Sequence, residues 1–405
     1  MSEIKKKSFH KRQKLQKACI KAFIVTVISC FLSYLIVVPL SESLLAKLFS
    51  APETSDFTMS DMFIQFADSR PVRHLDNRIA VVDIGYAGRE EITEGLEILA
   101  AAEPKVVGLD VNFPDRKGDI DNDLFNSILA LSDRIVLPLG LDQKDDKFEI
   151  NEKPFFYDTP EGKQLSYGVI NLPAKSSRAS IREFEVDFPL SSGASLPSYV
   201  TQMARMGDPE AYSRLLKRGN ARETIDYASR EFNVIPINEL LDRAGELTDK
   251  IVLMGSLGDA YDLHSTPLNS YQAGLLIHAN SLATVLDGSW YVTASDLIDF
   301  ALAVILCFLL ILAAELIVER GRDIVLRIVQ IIIMALSVWI GYNLFLDHHI
   351  LLDLTYTFFV VGIGLLVLDL WHGINHLWKI ATAKRQARQN LTPDTLTKNN
   401  SQQDA

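Results

Sequence analysis

The stretch Arg78-Ile-Ala-Val-Val-Asp83-Ile-Gly85 decides the fold of the central part of this chain. Its apolar and β-branched residues form an unbroken run that ends in an acid and a glycine, which is typical of a strand buried on both faces. Residues Arg89 to Ala102 follow with apolar side chains at helical spacing, and Glu103-Pro104 ends that helix. A buried strand followed by a helix is the repeating unit of a largely parallel sheet.

The same pattern returns further along the chain. Strands are predicted over Lys105–Phe113, Arg134–Pro138 and Lys250–Ser256, and helices over Asp121–Leu131 and Gly274–Leu286. We therefore expect an α/β fold, with a mostly parallel or mixed sheet covered by helices.

The pattern is weaker between the third and fourth of these strands. Tyr167–Asn171 and Ile181–Phe188 predict two strands joined by a polar turn, which would add an antiparallel pair to the sheet. A helix is predicted to begin near Ser195 and to cover Leu196–Met206. The charged stretch Asp208–Arg222 predicts a surface excursion rather than a separate domain.

Three stretches of this region resemble the second class of CHASE domain, an extracellular sensory module found before kinases and cyclases. They are Val-Val-Gly-Leu-Asp110-Val, Tyr167-Gly-Val-Ile-Asn171-Leu-Pro, and Lys250-Ile-Val-Leu-Met-Gly-Ser through Asp262-Leu-His264 to Gly274-Leu-Leu-Ile-His278-Ala-Asn280. The likeness covers most of Ile79 to Gly288, and family members commonly have one membrane span before the domain and three after it. The resemblance implies sensing. Many relatives continue after the last span into a kinase or cyclase, and the sequence departs from that pattern, so we expect any output to come from a separate polypeptide.

Four apolar segments, 22–40, 297–318, 324–345 and 350–371, are long enough to cross a membrane, which takes about 20 apolar residues in a helix. The first segment follows a strongly basic arm, residues 1–21. It reads as an uncleaved anchor, since it is longer than a signal core and no small-x-small cleavage pattern follows it; a removed signal is the alternative.

The positions of the basic residues predict the orientation of the chain. The arm, the Arg-bearing turn at 319–323 and the tail, residues 372–405, carry Lys and Arg, whereas Leu346-Asp347-His348-His349 carries neither. Short basic loops stay in the cytoplasm. We expect a multi-pass protein of the inner or plasma membrane with both termini cytoplasmic and residues 41–296 outside.

Charge and cysteine content restrict the partners of this outer block. The whole chain has 40 Lys+Arg and 51 Asp+Glu, and its arm and tail are basic, so the block is more acidic than the net charge of -11 suggests. Nucleic acid is therefore not an expected partner. The three cysteines, Cys19, Cys30 and Cys307, lie in or beside the spans, and the block has no disulfide to hold it.

Polar residues at the predicted strand ends are candidates for a ligand site. Asp83, Asp110 and Ser256 lie near the carboxyl ends of their strands, where ligands bind in open parallel sheets, and Gly85 lets backbone approach closely. The functional hypothesis is a polar pocket for a cation or for a basic or hydroxylated small molecule. The alternative is that these acids cap the following helices or pair with arginines.

The loop from Gly255 to Pro267 is the most polar part of this region. Asp262 and His264 could titrate together or contribute to a metal site. A lone Asp-x-His is a weak metal signal, so hydrogen bonding within the loop is favoured and no metal or cofactor is predicted. On the predicted helix that follows, we expect Asn280 to satisfy backbone rather than touch ligand.

No catalytic residues are predicted. Asp119-Ile-Asp121-Asn-Asp123 lacks the glycine and late glutamate of a calcium loop and is better explained as an acidic helix start. Neither a Gly-x-Ser-x-Gly elbow nor a phosphate-binding loop occurs in the sequence.

Charged residues within the spans are expected to face partners, because an ionisable group in lipid is costly. Glu315 and Arg327 lie at similar depth on neighbouring spans and are predicted to pair; separate snorkelling to the headgroups is the alternative. Asp299, Asp353 and Asp369 are expected to be solvated at the span ends.

These features favour a membrane-anchored sensory protein that detects an unknown ligand or envelope condition and passes the signal to a separate cytoplasmic kinase, cyclase or regulator. Membrane lipid surrounds the spans, and a homodimer is compatible with them. A non-signalling structural or assembly factor that binds another envelope component is the alternative, since it would need the same scaffold.

Overall fold

The chain forms two compact units. The computed structural model of the protein describes residues 2–40, 58–69, 74–144, 147–173, 179–227, 230–317 and 322–391. The α/β domain comprises Leu40–Ala294 and Tyr342–Leu352, and the helical unit comprises Met1–Pro39, Ser295–Gly341 and Asp353–Ala405. The segment 41–57, most of the predicted Arg-bearing turn and the tail after Leu391 lie outside the described residues.

Helices and strands alternate through much of the α/β domain. Its helices are α2 (Met59–Asp68), α3 (Arg89–Ala102), α4 (Ile120–Ala130), α5 (Tyr199–Gly207), α6 (Pro209–Arg218), α7 (Leu240–Arg243) and α8 (Gly274–Asp287). Its strands are β1 (His74–Asp83), β2 (Val106–Asp110), β3 (Ile135–Lys144), β4 (Lys147–Glu152), β5 (Ser166–Val169), β6 (Glu183–Glu185), β7 (Asp187–Pro189), β8 (Ser195–Pro197), β9 (Arg222–Thr224), β10 (Arg230–Pro236), β11 (Ile251–Gly255), β12 (Leu263–His264), β13 (Gln272–Ala273), β14 (Val292–Thr293) and β15 (Ile350–Leu351).

The main sheet has the strand order β10-β1-β11-β2-β3-β4, and β5 pairs with β3. All of these pairs are parallel except β3 with β4, so the sheet is mixed and mostly parallel, as predicted. The central strands are buried on both faces, because consecutive residues, which point to opposite faces, are all buried in Ile79–Val82, Val106–Leu109 and Ile251–Gly255. This explains why their sequences are continuously apolar rather than alternating.

The predicted antiparallel addition between the third and fourth strands is wrong. Strand β5 instead pairs parallel with β3, and β6 pairs antiparallel with β9. The edge strand β10 was missed, because its polar and apolar residues are interspersed without an unbroken apolar run and only Ile235 is buried. The stretch predicted as a surface excursion contains α6, which begins at Pro209 after an Asp208 cap.

The helical unit contains four helices that are long and apolar enough to cross a membrane. They are α1 (Ser2–Leu40), α9 (Asp296–Leu316), α10 (Arg322–His348, whose last turns belong to the α/β domain) and α11 (Thr355–Leu391). Helices α1 and α11 run well beyond the predicted spans 22–40 and 350–371. The basic arm has no proline or glycine to end the helix, so it continues α1 rather than forming a separate segment.

The predicted pair between Glu315 and Arg327 is not formed. Glu315 lies 2.9 Å from Lys21 Nζ of α1 and 3.1 Å from His372 Nε2 of α11, and Lys21 also contacts His372. Arg327 pairs instead with Asp369 of α11. The prediction rested on the similar depth of the two residues in neighbouring spans. Depth along a span does not determine which neighbouring helix a side chain faces.

Asp299 is also placed differently from the prediction. It was expected to be solvated, yet it is 2 % exposed and its carboxylate accepts hydrogen bonds at the start of α11. The donors are the backbone N–H of Tyr356, at 2.9 Å, and the Thr357 hydroxyl, at 2.6 Å. A carboxylate from α9 therefore caps α11, where the free N–H groups and the helix dipole favour negative charge.

Candidate functional site

Three parallel strands of the α/β domain end side by side. Asp83 of β1 is in register with Gly255 of β11, and Gly255 is in register with Asp110 of β2. The sequence placed these residues near strand ends, and the register brings them to one edge of the sheet. That edge is where open parallel sheets bind ligands.

Asp83 has a structural role at this edge. Its Oδ1 accepts hydrogen bonds from the backbone N–H of Gly85, at 2.9 Å, and of Leu257, at 3.0 Å. Gly85 has a φ of 53°, which an L-residue adopts only with strain. Among the described residues, Asp83 therefore neither caps the helix that follows nor pairs with an arginine; its carboxylate joins the loops after β1 and β11.

Ser256 also makes a local contact. Its hydroxyl accepts a hydrogen bond from the backbone N–H of Gly258, at 3.3 Å, within the loop after β11. The side chain is partly exposed, so a ligand could still reach it.

Asp110 differs from Asp83 because no described residue donates a hydrogen bond to its carboxyl group. It lies directly beside Gly255, where an added Cβ would come within 3.2 Å of the Asp110 Cβ. Burial, with a smaller contribution from the negative charge of Asp262, raises the pKa of Asp110 to about 7. Its charge state therefore changes near neutral pH.

Asp262 and His264 form the exposed side of the site. His264 Nε2 lies 3.0 Å from Asp262 Oδ1, and the two side chains are 30 % and 42 % exposed, respectively. The Asp262 carboxylate lies against Gly274, the first residue of α8, where an added Cβ would come within 2.5 Å of its Oδ1. Glycine at this position lets the carboxylate approach the positive end of the helix.

His278 lies one turn further along α8 and is 5 % exposed. Its ring donates a hydrogen bond to the backbone carbonyl of Ile170 and lies 5.2 Å from the ring of Tyr199, edge to face. Burial is the main cause that lowers the pKa of His278 to about 4, so the ring is neutral at neutral pH. On the same helix, Asn280 donates to the carbonyl of Leu276, at 2.8 Å, which agrees with the predicted backbone role.

Tyr199, the first residue of α5, completes the cluster and was missed by the sequence analysis. It is fully buried, and its hydroxyl lies over Gly108 of β2 with no hydrogen-bond partner among the residues that the structure describes. Burial and the nearby Asp110 raise the pKa of Tyr199. An added Cβ at Gly168 of β5 would come within 2.5 Å of the Tyr199 Cα. Glycines inside two strands were the available signal, since they mark close approach of another backbone or side chain.

The five residues Asp262, His264, Asp110, His278 and Tyr199 form a polar line from the partly exposed loop into the core. We call it the strand-end cluster. It combines two carboxyl groups, the partly exposed imidazole of His264, the buried neutral imidazole of His278 and a hydroxyl without a partner in the described part of the chain, which suits it to bind hydrogen-bond donors or a positive charge. Within the described part of the chain, no three His, Cys, Asp or Glu side chains converge as a metal site.

In the acidic run that resembles a calcium loop, the carboxylate of Asp121 is bound by other groups of the protein. Asp121, in the first turn of α4, is fully buried and pairs with Arg89 at the start of α3. Its other oxygen accepts hydrogen bonds from the backbone N–H groups of Lys117 and Gly118. The prediction of an acidic helix start therefore agrees with the structure.

Comparison with known families gives one match. The model of the CHASE2 domain matches residues 45–314, which is more than half of the chain. No curated protein and no solved structure matches the chain.

Proposed function

Because this chain belongs to the CHASE2 family, a family of sensory domains, we propose that it detects a small ligand or an envelope condition outside the cytoplasm and relays it to a separate cytoplasmic partner. The α/β domain would receive the stimulus and the four apolar helices would carry it. The strand-end cluster is the observation that carries this proposal, because a neighbouring ligand or a change in pH can alter the charge of Asp110.

The ligand class follows from the chemistry of the cluster. Asp110 lacks a hydrogen-bond donor among the described residues, and Asp262 is 42 % exposed beside it. A ligand carrying a positive charge or several N–H or O–H donors would stabilise the charged form of Asp110, which burial otherwise disfavours. Binding of such a ligand near neutral pH should release a proton.

A thermal-shift experiment tests this ligand class. The full-length protein in phosphatidylcholine nanodiscs would be titrated with calcium chloride, putrescine and spermidine. A probe that binds only the folded state at about 100 times its Kd adds about 2.7 kcal/mol, so the unfolding midpoint should rise by several degrees. The Asp110→Asn/Asp262→Asn double variant should lose this response.

The matched control is Asp115→Asn, which removes an exposed carboxylate from a neighbouring loop and should respond as the wild type does. The ligand assignment is wrong if no probe moves the midpoint, or if the double variant responds as strongly as the wild type. The assembly-factor alternative would then be favoured.

The proposed orientation, with both termini in the cytoplasm and the α/β domain outside, is supported separately by the basic residues of the arm and the tail. Protease added to intact spheroplasts should cleave the α/β domain and leave epitope tags at both termini intact, and detergent should expose the tags to cleavage. Protection of the α/β domain in intact spheroplasts, with cleavage only after lysis, would reverse the proposed orientation.

The inner partner would contact the extension of α11 beyond the predicted span. Leu377 and Trp378 are 67 % and 68 % exposed there, and Lys379, Lys384 and Arg385 follow. The positive charge of these three side chains suits a kinase, cyclase or regulator with an acidic docking surface.

A further inference from the structure

A groove on the α/β domain, lined by none of the five residues of the strand-end cluster, combines an apolar floor with unbalanced negative charge. It runs along α3, between that helix and α7. Two adjoining depressions of about 490 and 510 Å³ form it, and both are lined by Glu94, Ile98 and Leu241. We call it the α3–α7 groove.

The floor of the groove is apolar and unusually open. Leu241 of α7 is 69 % exposed, although a large aliphatic side chain gains from burial. Ile98 lies in both depressions, Ala244 continues the apolar strip into one of them, and Ile237 continues it into the other. An exposed apolar strip with a polar rim is typical of a protein-binding surface.

The rim of the groove is acidic. Glu91, Glu94 and Glu97 line it, and neither depression is lined by Lys, Arg or His. Glu91 accepts a hydrogen bond from the backbone N–H of Gly88, whereas Glu94 and Glu97 have no ion-pair partner among the described residues. Arg243, the basic residue of α7, is already paired with Glu239 and Glu246.

We propose that the α3–α7 groove binds a cationic amphipathic helix of a partner protein. Its apolar stripe would cover Ile98 and Leu241, and its Lys and Arg side chains would face Glu94 and Glu97. Helix α3 has 14 residues and is therefore about 21 Å long, which matches about four turns of a bound helix. Apolar anchors laid into a groove between helices are a recurring mode of peptide recognition, and complementary charge sets the choice of partner. This proposal does not depend on a ligand at the strand-end cluster.

The test uses a designed probe and the full-length protein in phosphatidylcholine nanodiscs. The probe is a fluorescein-labelled helical peptide of about 18 residues, with leucines on one face and lysines elsewhere. A second peptide carries glutamate in place of each lysine. Binding is measured by fluorescence anisotropy, with the signal of empty nanodiscs subtracted.

The lysine peptide should bind more tightly than the glutamate peptide, and its affinity should fall as salt is raised. Glu94→Lys/Glu97→Lys should weaken its binding by about tenfold or more, because both rim charges change sign. Leu241→Ser should weaken it similarly at low and high salt, since that change removes an apolar contact. The control Glu161→Lys/Glu210→Lys has the same net charge but alters exposed residues outside the groove, and should bind as the wild type does.

Three results would overturn the proposal. They are equal binding of both peptides, an unchanged affinity in the Glu94→Lys/Glu97→Lys variant, and an equal loss in the control. Light scattering could instead show that the wild type is a dimer and that the Glu94→Lys/Glu97→Lys variant is a monomer. If peptide binding were also unchanged in that variant, the groove would be assigned to a second copy of this chain.

Discussion

Replacing Asp110 with asparagine is expected to stabilise the protein at pH 8 and to change its stability little at pH 4. Burial raises the pKa of Asp110 to about 7 in the folded protein, whereas an unfolded aspartate has a pKa of about 3.9. The wild type therefore loses stability as the pH rises from about 4 through about 7, because the folded state must give up a proton it holds more tightly. Asparagine removes this loss, which is on the order of 2 to 4 kcal/mol.

Thermal unfolding followed by near-UV circular dichroism from pH 4 to pH 8 measures this effect as the difference between variant and wild type. The difference in stability between variant and wild type is used because the contribution of His278 to stability has the opposite pH dependence and is the same in both proteins. Its pKa is lowered to about 4, so its contribution is present above the unfolded value of about 6.5 and is lost as the pH falls through 4. Asp115→Asn serves as the control and should show little difference. A variant that is no more stable than the wild type at pH 8 would contradict the assignment of Asp110.

The second large effect is expected from Arg89→Met, which should cost about 3 to 5 kcal/mol of stability. Arg89 neutralises the fully buried Asp121 and also donates to the carbonyl of Asp115, at 2.6 Å. Its guanidinium lies 5.3 Å from the ring of Phe113. Methionine keeps much of the apolar contact but leaves a buried carboxylate without its cation.

The double variant Arg89→Met/Asp121→Asn separates charge from packing. Asparagine can still accept a backbone N–H of the Lys117-Gly118 turn, but it carries no charge. It should recover at least about half of the stability lost in Arg89→Met. Denaturant titration of both variants and the wild type measures this recovery, and a double variant less stable than Arg89→Met would show that the ion pair is not the cause.

Part of the candidate site could be predicted from the sequence because parallel strands align their ends. Once Asp83 and Asp110 were placed at the ends of two buried strands, their proximity followed from the register of a parallel sheet. Their different roles did not follow. Asp83 is satisfied by the Gly85 and Leu257 N–H groups, and that depends on the conformation of two loops.

The buried half of the strand-end cluster depends on contacts that are distant in sequence. Tyr199 and His278 meet only because α5 and α8 pack on the same face of the main sheet. The two residues are far apart in sequence, so no repeating pattern of residues predicts their contact. Gly108 and Gly168 indicate where a close approach occurs but do not identify the residue that makes it. The sequence therefore predicts the edge of the sheet better than the side chains behind it.

The contacts of Asp299 and Glu315 restrict how α9 and α11 can move relative to each other. Asp299 fastens α9 to the first turn of α11, and Glu315 joins α9 to His372, 17 positions further along α11 than Thr355. Because α9 is joined to α11 near both of its own ends, the two helices cannot slide past each other by a turn, about 5.4 Å, without losing one of these contacts. Translation of α9 along its axis relative to α11 is therefore disfavoured. The two helices would tilt or rotate together as one rigid body.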